Sequence, residues 1–131
     1  MITTLPQPMR KFTADEGARL LAPDGSVNAS RFRASWKLAG IVEPLPSIDG
    51  RSQPTYAVAS LVRAAIYCQL QQAFGQQSSV ALELVRPISD AMALDLMREE
   101  EPVLTAVHDR RCYQIVLDPA PFRRIREAGG L

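Results

Sequence analysis

From residue 57 to 73 the apolar positions Val58, Leu61, Val62, Ala65, Ile66, Leu70 and Ala73 recur at helical spacing, with Gln69 in the same series, and Gly75 follows as a stop. That pattern predicts the longest helix of the chain. The runs 103–107 and 112–117 alternate instead with period two, and His108-Asp109-Arg110-Arg111 lies between them. Alternation around a polar tip predicts a β-hairpin.

Shorter elements follow from their start and stop signals. Thr13-Ala14-Asp15-Glu16 has the spacing of a capping box, so a helix starts at Ala14, runs through Leu20 and Leu21, and stops by Pro23. Pro23-Asp24-Gly25-Ser26 supplies turn chemistry. Asn28 or Ser30 then caps a second helix that carries Arg31, Phe32, Arg33, Trp36, Lys37 and Leu38. Phe32 and Trp36 are four apart and share its buried face, and Gly40 stands where a left-handed C-terminal cap is wanted.

Residues 43–55 hold Pro44, Pro46, Gly50 and Pro54, which exclude a helix and suit a loop or a short two-stranded wing. After Gly75, Ser78 or Ser79 caps a short helix over residues 80–85, and Ser89 caps another that reaches Glu101 before Pro102. Pro121 opens a last short helix through Arg126, stopped by Gly129-Gly130.

The expected fold is therefore mainly α with a small β component. It divides into a helix-turn-helix segment with a wing (residues 12–86) and a C-terminal helix and β-hairpin extension (residues 87–131). The length of 131 residues, with 47% hydrophobic and 22% charged residues, suits one ordinary globular unit.

The net charge of +1 excludes a polybasic, charge-driven binder, and what charge there is lies unevenly. Residues 1–75 hold eight Lys or Arg against five Asp or Glu, a balance of +3; residues 76–131 hold seven against nine, a balance of −2. The halves either do different jobs or carry the ordinary scatter of a solvated surface.

Cys68 and Cys112 both lie in apolar stretches and are expected to behave as small buried hydrophobes. With His108 the only histidine and no CxxC or HExxH spacing, neither a metal nor another cofactor is expected. No run approaches the roughly 20 apolar residues of a membrane span, so the expected location is the cytoplasm.

Two short helices, a glycine turn, a basic second helix, a Pro/Gly loop with an arginine and a long apolar helix follow the order of a winged helix-turn-helix. In that arrangement residues 28–39 enter the major groove. Arg31, Arg33 and Lys37 would meet guanine edges or phosphates there, and Asn28 and Ser30 would bond bases or backbone. Arg51, Ser52 and Gln53 offer donors to the flanking backbone or a narrow minor groove. Alternatively, the loop is only a surface connection.

The run Trp36-Lys37-Leu38-Ala39-Gly40-Ile41-Val42-Glu43-Pro44 resembles the Gly-Leu-x-x-Pro end of the second helix in the MerR family. Tyr56-Ala57-Val58-Ala59-Ser60-Leu61-Val62-Arg63 is similar to the start of that family's third helix, and Leu70 to Gly75 to its end. The resemblance covers roughly residues 12–86. It implies a winged DNA-binding fold, a bacterial transcriptional regulator bound to the nucleoid, and a DNA-facing role for Tyr56. The family's arginine in helix two falls on Ala34, one place after Arg33, and its wing arginine on Pro54, three after Arg51.

MerR relatives dimerise through a C-terminal coiled coil, and no sustained apolar heptad follows Gly75. A homodimer would then pair the helix with Met92, Leu96 and Met97, together with the hairpin, across a two-fold axis; equally, these stripes pack only within the chain. Residues 87–131 are also the candidate surface for a protein partner.

An enzyme is not expected. Asp95, Glu99, His108 and Asp109 are titratable, but nothing groups them. The main rival to a DNA-binding regulator is a protein–protein adaptor built on the same helix-turn-helix scaffold, consistent with the near-neutral charge.

Overall fold

The computed structural model describes residues 10–46, 53–75 and 79–131. Within them the chain is mainly helical, with two small antiparallel sheets. A two-residue strand β1 (Phe12–Thr13) leads directly into α1 (Ala14–Leu21). The capping box forms as expected: Glu16 N donates to Thr13 Oγ1 at 3.2 Å and Thr13 N to Glu16 Oε1 at 3.0 Å. An extended turn of residues 22–29 follows, in which Ser26 N donates to Asp24 Oδ1 and Ser30 N to Asn28 Oδ1, both at 2.9 Å.

The expected second helix is broken in two. α2 (Ser30–Arg33) and α3 (Ser35–Leu38) are separated by Ala34, whose backbone (φ −123°, ψ −88°) lies outside the helical region. Phe32 and Trp36 are nonetheless both buried, ring centroids 4.9 Å apart and edge to face, so the break leaves the aromatic anchor intact. Gly40 takes the left-handed conformation (φ +78°) that ends this segment.

β2 (Thr55–Tyr56) pairs antiparallel with β1, Phe12 opposite Tyr56. Pro44 bridges Tyr56 as well, and Leu45 N donates to Thr55 O at 2.8 Å. The chain that leaves at Leu45 is thus tied at its base to the chain that returns at Thr55.

α4 (Val58–Phe74) is the central element, with Val58, Leu61, Val62, Ala64, Ile66 and Leu70 buried. α5 (Val80–Val85), α6 (Asp90–Arg98) and α7 (Ala120–Ala128) all pack on it, and α7 also packs on α1. Ser89 caps α6 by accepting from Met92 N at 3.2 Å. Phe122 and Ile125 of α7 join the same core as Phe12, Phe32 and Tyr56, so residues 12–86 and 87–131 share one hydrophobic interior.

Between α6 and α7, β3 (Val103–His108) and β4 (Arg111–Val116) form the expected hairpin, in register from Val103–Val116 to His108–Arg111. Asp109 and Arg110 both have positive φ (50° and 63°), the pair of left-handed residues that a tight two-residue turn requires. Among the described residues no helix is long and apolar enough to cross a membrane.

Candidate nucleic-acid interface

The position of α2 depends on a close approach to α1. A Cβ at Gly17 would stand 2.7 Å from Leu61 Cδ2 and 2.9 Å from Phe32 Cζ, so only glycine leaves room for the Phe32 ring between α1 and α4. Phe32 also meets the Tyr56 ring at a centroid distance of 5.2 Å. With Trp36 these rings form the inner face of the segment, which obliges its polar residues outward.

Asn28, Ser30, Arg31, Arg33 and Lys37 are all exposed, as a contact surface requires. They do not share one face. Arg31 borders a depression of about 310 Å³ with Ser35, Trp36, Tyr67 and Gln71, on the α4 side. Its charge acts on Cys68, whose thiol is pushed up to about 11 by burial while Arg31 opposes the rise.

Arg33 points the other way. It lies 3.7 Å from Asp15 of α1, and its charge reaches the Tyr56 phenol. Lys37 sits with Gly40, Val42, Glu43 and Pro44, beside the base of the 45–55 loop. The structure therefore groups Arg33 and Lys37 toward the loop and sets Arg31 apart, because Phe32 occupies the inward position between the two arginines.

Asn28 uses its side-chain carbonyl to hold Ser30 N, so its amide N–H groups are the part left for another molecule. Gln53 is exposed, while Arg51 and Ser52 lie outside the described residues. Tyr56 is corrected: at 1% exposure it is a core residue, not a contact residue. Burial pushes its phenol above the ordinary range, opposed in part by Arg33.

Sequence reasoning missed three features of the site. Leu38 is 86% exposed at the end of α3. Its spacing carried the signal, since a residue two beyond Trp36 falls off the face shared by Phe32 and Trp36. The other two are arginines that bond the chain where it leaves α3. Arg63 Nε donates to Ile41 O at 3.1 Å and Arg86 Nε to Ala39 O at 3.3 Å; Arg63 also pairs with Asp90 of α6. No local pattern marks them, because their partners lie 22 to 47 residues away.

The expectation for the cysteines is half corrected. Cys68 is partly buried against the core, whereas Cys112 is exposed on β4. His108, placed at the hairpin tip by sequence, sits at the end of β3 and pairs with Glu83 of α5. A half-open groove of about 450 Å³ between the α1–α2 turn, α4 and α7 carries Asp24, Gln72, Asp118 and Arg124. Arg124 is engaged there with the last carbonyls of α1, Leu20 O at 2.7 Å and Leu21 O at 3.1 Å.

No known protein family, curated protein sequence or solved structure matches the chain.

Proposed function

We propose that the protein is a sequence-specific regulator that binds double-stranded DNA as a winged helix-turn-helix, with α2–α3 in the major groove and the 43–55 loop along the flanking backbone. The observation that supports this reading is the side-chain sorting of residues 30–38. Phe32 and Trp36 hold the segment in the core, while Lys37 stands outside next to the closed base of the loop and Arg33 stands outside between Asp15 and the Tyr56 phenol.

Arginine and lysine at that spacing suit guanine edges and phosphates, and the free amide N–H groups of Asn28 suit a base or a phosphate. Leu38, exposed beside Lys37, adds an apolar group of the kind that meets a thymine methyl. Arg31 contacts a phosphate at the far side of the groove or none at all, because it faces α4.

The test is capture of fragmented genomic DNA by the purified protein at about physiological salt, with sequencing of the retained fragments and repetition with Arg33→Glu and Lys37→Glu. One enriched motif, lost in both variants with the circular dichroism spectrum unchanged, is the expected result. No enrichment over bulk DNA overturns this reading. It moves the function to the adaptor reading, which the exposure of Leu38 on an outward helix end favours.

A further inference from the structure

The hairpin presents two unlike faces. Leu104, Ala106, Tyr113 and Ile115 turn inward onto the core, with Tyr113 edge to face against Phe74 of α4 at 5.4 Å. The opposite face carries Val103, Thr105 and Val107 of β3 beside Val116, Gln114 and Cys112 of β4. Val107 and Val116 are 74% and 79% exposed, and Val103, Thr105, Gln114 and Cys112 are exposed as well. Among the described residues no third strand pairs with this ribbon.

We infer that this outer face of β3–β4 is the surface through which two copies of the chain form a homodimer. The face carries no Lys, Arg, Asp or Glu, although 29 of the 131 residues are charged. A polyanion or an anionic lipid surface finds no cation on it, and a second copy meets no like charge.

The face is also self-complementary. Down the ribbon it reads apolar pair (Val103–Val116), polar pair (Thr105–Gln114), apolar pair (Val107–Cys112). A two-fold axis through its centre, running either along the ribbon or straight across it, lays apolar ends on apolar ends and the polar pair on its own copy. Thr105 and Gln114 each hold both a donor and an acceptor, so they can bond to their symmetry mates.

Size sets the strength. Two six-residue strands span about 20 Å by about 10 Å, well below the roughly 800 Å² per partner of a standard interface. Half-exposed Met92 extends the apolar surface past the β3 edge, through a groove it shares with Pro87, Ile88, Thr105 and Val107, whose one carboxylate, Glu83, pairs with His108. The dimer is accordingly weak, and it forms whether or not DNA is the ligand of α2–α3.

Sedimentation velocity over about 1 μM to 1 mM protein tests this, beside the alkylation rate of Cys112 by iodoacetamide. The expected result is a monomer–dimer equilibrium in which the alkylation of Cys112 slows as the dimer forms. Cys68, whose thiol burial raises to about 11, reacts slowly throughout and serves as an internal reference. The double variant Val107→Lys, Val116→Lys replaces exposed side chains and should keep the wild-type spectrum and melting temperature while weakening association at least tenfold. A chain that stays monomeric to 1 mM overturns the proposal and leaves the face to a different partner. A dimer that neither protects Cys112 nor responds to the two lysines overturns it equally, by placing the interface elsewhere.

Discussion

In α2–α3 the inward positions are Phe32 and Trp36 and the outward ones Arg31, Arg33 and Lys37; in β3–β4 the inward positions are Leu104, Tyr113 and Ile115 and the outward ones Val103, Val107 and Val116. Both are short surface elements pinned to one core, α2–α3 by residues four apart and β3–β4 by alternate residues. They differ in what they show to solvent: guanidinium and ammonium groups on one, uncharged and mostly apolar side chains on the other. The difference separates the partners each can meet, since a cationic surface gains from a polyanion and an uncharged one gains only from burying apolar area.

The largest test of this comparison acts on the anchors. Phe32 is fully buried between three elements, so Phe32→Ala should cost about 3–5 kcal/mol in chemical denaturation. Tyr113 is only partly buried against Phe74, and Tyr113→Ala should cost about 1–2 kcal/mol. Equal losses would mean that the ribbon is as deeply anchored as α2, and the contrast in anchoring would fail.

The outer surfaces come next. In DNA titrations over a range of salt, Lys37→Gln and Arg33→Gln should each weaken binding about fivefold at about 0.15 M salt and reduce the slope of log affinity against log salt by about 1. The same titration with Val107→Gln should leave the slope unchanged. A slope that responds to Val107 and not to Lys37 would exchange the roles of the two surfaces.

A smaller effect sharpens the base of the cationic region. Thr13→Ala removes the capping box of α1 and should cost about 1 kcal/mol. The Thr13 backbone amide holds the Glu16 carboxyl below its ordinary value of 4.5, helped by Arg10. The carboxylate therefore stabilises the fold fully above that value, and the contribution fades as pH falls through the depressed one. Thermal melts of Glu16→Gln should lack this acid-limb component, and melts that keep it would assign it to another carboxylate.

The smallest effect concerns the link between hairpin and helix. Glu83→Gln breaks the partly exposed pair with His108 and should change stability by about 0.2–1 kcal/mol. A larger loss in urea denaturation would show that the ribbon is held by this pair more than by its apolar inner face.

Much of this architecture was legible in the sequence. Thr13-x-x-Glu16, Ser89, the apolar stripe of α4 and the polar hairpin tip each announce a local structure, and each formed. The break at Ala34 was not legible, because alanine is the best helix former and Ser30 to Leu38 contains no stop signal. Which side of the hairpin faces inward was hidden too, since Val103 and Leu104, or Ile115 and Val116, are equally apolar; Cys112 was misplaced for that reason. Of the candidate site, the outward arginines and lysine could be read from the four-residue spacing of Phe32 and Trp36. The burial of Tyr56 could not, because it follows from pairing with Phe12 and Pro44, which lie far away in sequence.

The interruption at Ala34 also decides how portable the cationic segment is. A synthetic peptide of residues 28–39 would contain two four-residue helices and no seats for its two aromatic rings, well under the length at which an isolated helix persists in water. Grafting the same residues onto a continuous helix would carry over the charges without their spacing. The transplantable unit is thus the seat as well as the segment: Gly17, Leu61 and Tyr56 around Phe32, together with Arg63 and Arg86 that tether the exit of α3. A reporter fusion or swap that omits α4 or α5 should lose the arrangement of this cationic surface even with residues 28–39 intact.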